Sequence, residues 1–180
     1  MRRMFIGLTV LLLVGMTATA AMAASPHFKK GGEPVCTFSG TTSITVTCTG
    51  TLAGLGNEDL RVDLSASGSA VYQCSNKGEN IAPGQNKVLI GPATSSTIFP
   101  ASAIKNGNLT FTTSPAVLTA PTTVSGAAAG CPNPNWTGVN PTLTLTDITL
   151  DIYQPFPTLI FHCTASDSNG LTSPVTLTCV

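Results

Sequence analysis

The side chains able to do chemistry are few and scattered. His162 stands four residues before Ser166, with Asp167 and Ser168 following. A serine nucleophile needs a base within hydrogen-bond reach and an acid that orients that base. Neighbours around one turn rarely supply this geometry, and the chain has no G-x-S-x-G elbow. No catalytic residue is therefore assigned. Asp147 and Asp151 could form the carboxylate pair of a glycosidase or contribute to a calcium site. They share a face of a strand only if it has no bulge, and a bulge at Thr146-Asp147 would make them diverge. Both sit within apolar alternation with few other acids nearby, the usual setting of surface aspartates that discourage sheet-to-sheet association. Glu58-Asp59, beside Gly56-Asn57, reads as a solvated turn. No metal site and no cofactor is expected.

Trp136 lies in a polar, proline-containing stretch, Pro132 to Gly138. A lone tryptophan there can stack on a sugar or insert into a partner. It can equally close one end of a hydrophobic core. It is the single recognition candidate. Tyr72 and Tyr153 fall in alternating segments and read as packing residues. Asn108-Leu109-Thr110 and Asn135-Trp136-Thr137 match the acceptor pattern for N-glycosylation.

The cysteines say more. Cys36, Cys48, Cys74, Cys131, Cys163 and Cys179 form an even set with no C-x2-C pair to hold zinc or run redox chemistry. In an exported chain such a set predicts three disulfides. Export is indicated by Met1-Arg2-Arg3-Met4, an apolar run from Phe5 to Val14, and small residues at Ala21 and Ala23. The apolar core is about ten residues, against roughly 20 for a bilayer span. Residues 1–23 are thus expected to be a cleaved signal peptide, with no membrane span after its removal. Residues 24–34 read as a flexible N-terminal arm, and residues 35–180 as one domain. The mature chain then carries six bases against eight acids. That offers no basic surface for nucleic acid, and there is no P-loop or dinucleotide fingerprint.

The elements that must position these residues are strands. Ile44, Val46 and Cys48 alternate with threonines, and Leu60, Val62 and Leu64 alternate with Arg61, Asp63 and Ser65. Leu159, Phe161 and Cys163 share one parity, as do Val175, Leu177 and Cys179. Leu143 and Leu145 are out of phase with Ile148, Leu150 and Ile152, so a β-bulge or a change of sheet is expected at Thr146-Asp147. Turns are expected at residues 40–43, at Ser67-Gly68 and at Ser168-Asn169-Gly170. A loop is expected over 75–86, irregular chain over 91–107, and little strand over 114–141. Threonine makes up 25 of the 157 mature residues. It is β-branched and suits a sheet surface without adding charge. The fold class expected is all-β: an antiparallel, immunoglobulin-like β-sandwich of roughly eight to ten short strands, stapled by disulfides. Cys36 and Cys48 can meet across the first hairpin. A turn at 168–170 leaves Cys163 and Cys179 out of register. Cys131 would tie down the proline-rich loop.

Together these features predict a secreted or extracytoplasmic, non-enzymatic β-sandwich, free or associated with the cell surface, acting as a structural, surface or adhesion-type component with an extracellular protein or glycan partner. The alternative is a carbohydrate-binding or inhibitor module that uses Trp136 and the 75–86 loop. An enzyme would require His162 and two acids to converge in one cleft.

Overall fold

A computed structural model describes residues 25–180, so the expected signal peptide lies outside the described residues. Twelve strands follow in order: β1 (His27–Phe28), β2 (Val35–Ser39), β3 (Ser43–Ala53), β4 (Leu60–Ser75), β5 (Ile81–Phe99), β6 (Leu109–Thr112), β7 (Ala116–Thr119), β8 (Val124–Ser125), β9 (Thr137–Tyr153), β10 (Leu159–Ser166), β11 (Val175–Thr176) and β12 (Thr178–Cys179). A four-residue helix, α1 (Gly126–Ala129), follows β8. The strands form two six-stranded antiparallel sheets. In the first sheet β3 is the hub, with β2 and β1 along one side and β7 and β6 along the other. In the second the order is β12-β10-β9-β4-β5, and β8 pairs with the far end of β9.

Alternation explains the core. Ile44, Val46, Cys48 and Leu52 of β3 point inward, and so do Leu60, Val62, Leu64 and Ala66 of β4 and Ile148, Leu150 and Ile152 of β9. They meet in one continuous buried cluster between the sheets. The phase change in β9 is a bulge. Asp147 pairs with Ser67 while Leu145 pairs with Gly68, so Thr146 is the extra residue and both apolar sets stay buried.

The cysteines pair sequentially as Cys36–Cys48, Cys74–Cys131 and Cys163–Cys179. The first joins registered neighbours on β2 and β3. The third corrects the expectation that Cys163 and Cys179 are out of register, because Cys163 pairs directly with Cys179. The chain between them is no simple hairpin. Val175 and Thr176 leave to pair with β2 in the first sheet, and Thr178 and Cys179 return to pair with β10 in the second. That excursion takes up the residues a tight turn could not accommodate. It also splits the single final strand expected over 175–179.

Three strands are far longer than expected, at 16, 19 and 17 residues for β4, β5 and β9. Ser67-Gly68 is not a turn; β4 runs straight through it. Gly68 is required because a Cβ there would sit 2.3 Å from the Thr144 carbonyl oxygen on β9. The 75–86 loop shrinks to a turn over 76–80, where the Asn76 Oδ1 accepts from the backbone of Gly78 and Asn80. The region expected to be irregular from 91 is still β5 as far as Phe99. Pro83 and Pro92 are tolerated there because β5 ladders only with β4 and stands at the edge of the sheet. The segment read as a flexible arm contributes β1, which pairs with Leu52 and Ala53. Phe28 brings its ring to 4.5 Å from Phe161 of the opposite sheet, closing that end of the core.

Candidate functional site

The same alternation that buries Leu60, Val62 and Leu64 puts Arg61, Asp63 and Ser65 on the outer face of the second sheet. Register then decides which side chains meet. Asp63 lies opposite Ser96 of β5 on one side and opposite Asp151 of β9 on the other, and Asp151 lies opposite His162 of β10. A polar row, Ser96–Asp63–Asp151–His162, therefore crosses four strands. One step toward the end of the sheet, Ile98, Arg61 and Tyr153 form a second row in the same register, and Leu159 joins it across a bulge in β10. Phe156, on the turn after β9, lies against this row. Its ring is 4.4 Å from the Arg61 guanidinium carbon and edge-on to Tyr153 at 5.5 Å, and it remains 55% exposed.

The turn is pinned from below. Gln154 is buried. Its amide Nε2 donates to the carbonyls of Gly56 and Glu58 at 3.1 and 2.8 Å, and its Oε1 accepts from Gly56 N at 3.0 Å. Asp59, expected in a solvated turn, accepts from Ala101 N at 2.8 Å. These contacts fix the loops that flank Phe156.

Electrostatics along the polar row are tight. Arg61 Nε donates to Asp63 Oδ1 at 2.8 Å. Partial burial pushes the Asp63 carboxyl upward, but hydrogen bonds from Arg61 and Ser96, with the Arg61 charge, outweigh it and hold the group below the ordinary carboxylate range. The same Asp63 hydrogen bond raises Arg61. Asp151 Oδ1 lies 2.6 Å from His162 Nδ1. A carboxylate can only accept, so Nδ1 carries the proton. Tyr153 is raised by burial and by the nearby charges of Asp151 and Asp63. Two shallow depressions share Arg61. One, of about 400 Å³, is bordered by Asp63, Asp151, Thr149 and Ser96. The other, of about 390 Å³, is bordered by Glu58, Asp59, Ile98 and Phe156.

The sequence-level candidates are distributed as follows. Asp147 and Asp151 do share a face, against the expectation that a bulge would make them diverge, because the bulge at Thr146 precedes both. His162, Asp151 and Asp63 come together, but on an open sheet surface. Ser166 shares their face four residues along β10, about 13 Å away, and donates to Asp147 Oδ1 at 2.6 Å. The Asp167 side chain accepts from Asn169 N, and the Ser168 carbonyl accepts from Lys87. The serines and the imidazole are not assembled into a triad. Among the described residues no group of three or more His, Cys, Asp or Glu gathers to hold a metal, and no helix is long and apolar enough to cross a membrane.

Trp136 is half-buried against the core, beside Gly126 and the Cys74–Cys131 bridge. It adjoins the Ser75 end of β4, whereas Phe156 adjoins the Arg61 end. Thirteen residues of strand, roughly 40 Å, separate the two. Asn135 is exposed, while the Asn108 amide donates to the carbonyls of Lys105 and Asn106. Sequence reasoning missed Phe156 altogether and took Tyr153 for packing. The available signal was the outward parity of Arg61 and Asp63, but nothing local announces that β4 pairs with β9 in the register that joins them.

Fold and face together define a class: an all-β, sandwich-like protein with two antiparallel sheets, three disulfides and an open polar face on one sheet. Comparison with family models, curated proteins and solved structures returned no match to this chain.

Proposed function

We propose that the chain is an exported, non-enzymatic, immunoglobulin-like β-sandwich that serves outside the cytoplasm as an adhesion-type surface component, binding its partner through the outer face of the second sheet. The observation that carries this reading is the pairing of a hydrogen-bonding row with an aromatic and aliphatic row on a rigid floor. Both rows lie partly exposed on an open surface, the form suited to holding an extended partner rather than enclosing a small substrate. Three disulfides among the described residues support an oxidising compartment. Trp136 is better explained as a core lid, so recognition is assigned to the Phe156 end instead.

The test is direct. Expressed with its leader, the protein is expected outside the cytoplasm. In purified form it should adhere to envelope preparations of its producing cells, and the Arg61→Ala/Phe156→Ala pair should lose that adhesion while keeping wild-type circular dichroism. Retention in the cytoplasm, or adhesion unchanged in the double variant, would defeat the reading.

A further inference from the structure

We infer that the ligand of this face is a neutral, linear glycan lying across the strands, a proposal that rests on the binding-module reading above. The two rows are separated by two residues along β4, β5 and β9, about 7 Å, and by a bulge on β10, and neighbouring positions within a row are about 4.8 Å apart. Four strands thus give a track of about 14 Å, room for roughly three sugar rings. A pyranose has an apolar C–H face and a rim of hydroxyls. The track offers the same division, with Phe156, Tyr153 and Ile98 on one side and Ser96, Asp63 and Asp151 on the other.

The chemistry of the polar row favours hydroxyl donors. Carboxylates only accept. Among the described residues, hydrogen bonds from side chains engage only Oδ1 of Asp151, leaving Oδ2 for a ligand. Arg61 is already matched by Asp63, and Asp151 and Asp147 leave an acid excess on the face. A polyuronate or other polyanion is therefore repelled. A peptide is the rival of a different class. Peptides gain most from main-chain hydrogen bonds to a sheet edge, but the backbones of β4 and β9 are consumed by ladders on both sides. A peptide added at the free edge of β5 would run along the strands and not across them; across the face only side chains are on offer, and a glycan needs nothing else.

The experiment uses the full mature protein with four neutral hexasaccharides: β-1,4-glucan, α-1,4-glucan, β-1,4-mannan and N-acetylchitohexaose. Polygalacturonate and oligolysine serve as controls, and titration calorimetry is the readout. At least one neutral hexasaccharide is expected to bind. Phe156→Ala and Asp151→Asn should each weaken it by about tenfold or more, as truncation of a central contact does, whereas Asn135→Ala beside Trp136 should leave it unchanged. Preferred binding of oligolysine or polygalacturonate overturns the proposal, as does neutral-glycan binding indifferent to Phe156 and Asp151. In parallel, envelope preparations are oxidised with periodate, which cleaves vicinal diols. Adhesion that survives oxidation, with no hexasaccharide bound, sinks the glycan while the binding-module reading stands. No adhesion to untreated envelopes sinks that reading first.

Discussion

The three disulfides should not contribute equally, and the fold says which matters most. Consider replacing Cys74 and Cys131 together by alanine. Their sequence separation is 57, against 12 for Cys36–Cys48 and 16 for Cys163–Cys179. Loop-closure entropy assigns about 4 kcal/mol to the long link and about 3 kcal/mol to each short one. Topology widens that gap. The short links join residues that strand ladders already hold face to face. The long link anchors residues 126–136, which are otherwise held by the two-residue β8, a helix of one turn and the buried Ala129. Loss of about 4 kcal/mol is a large share of the roughly 5–15 kcal/mol typical of a domain. The single tryptophan sits in this segment, so its fluorescence reports local detachment, and far-UV circular dichroism reports the sheets. In urea, the Cys74→Ala/Cys131→Ala protein should lose about 1 kcal/mol more than Cys36→Ala/Cys48→Ala, and its fluorescence transition should precede its dichroism transition. Equal or greater loss from the Cys36–Cys48 pair, with coincident transitions in the long-link variant, would refute the argument.

Gly68→Ala should destabilise by about 1–3 kcal/mol through overpacking, because the new Cβ would meet the Thr144 carbonyl at 2.3 Å; a thermal midpoint equal to wild type would mean that β4 and β9 can separate without cost. Asp147 should make the protein acid-sensitive. Hydrogen bonds from Ser166 and then Thr146 hold its carboxyl below the ordinary range, so its contribution is full above the unfolded value of about 3.9 and is lost as pH falls through the lower folded value. The difference in thermal midpoint between wild type and Asp147→Asn should be constant from neutral pH to about pH 5 and shrink below about pH 4; a difference independent of pH counts against this assignment.

What was legible in the sequence was whatever depends on neighbours along the chain. Alternation places Ile44, Val46 and Cys48 inward without knowledge of any partner strand, and the phase slip between Leu145 and Ile148 marks Thr146-Asp147, where the structure has its bulge at Thr146. Gly68 misled because a glycine needed for close backbone approach looks the same as one needed for a turn. Residues 81–86 and 91–99 misled because an edge strand has one unpaired side, so it can carry Pro83 and Pro92 and still be strand. The candidate face was hidden for a different reason. Arg61 and Asp63 were correctly placed outward and Asp151 was singled out, but these positions come together only through a long-range register between β4 and β9. A one-residue slip would send every side chain of a strand to the other face. Phe156 lies in a proline-flanked turn with no periodicity to flag it.

The arrangement of charge on the second sheet is hard to account for by folding alone. Like charges directly opposite on neighbouring strands destabilise a sheet. The chain has only eight acids, yet two of them, Asp63 and Asp151, occupy one cross-strand pair. Either position could hold threonine, as the adjacent pair Ser65–Thr149 shows with uncharged hydroxyls. Arg61 offsets the repulsion only in part, and it must be held in place to do so. Local choices that oppose the stability of the fold are expected chiefly where function requires them. A conflict placed beside an exposed aromatic ring, on the face with pinned loops, therefore supports the proposal that Asp63 and Asp151 stand together to bind a ligand. Relieving the conflict separates the two roles: Asp151→Asn should weaken ligand binding without lowering stability, whereas a purely structural Asp151 would lose stability when its bond to His162 is weakened.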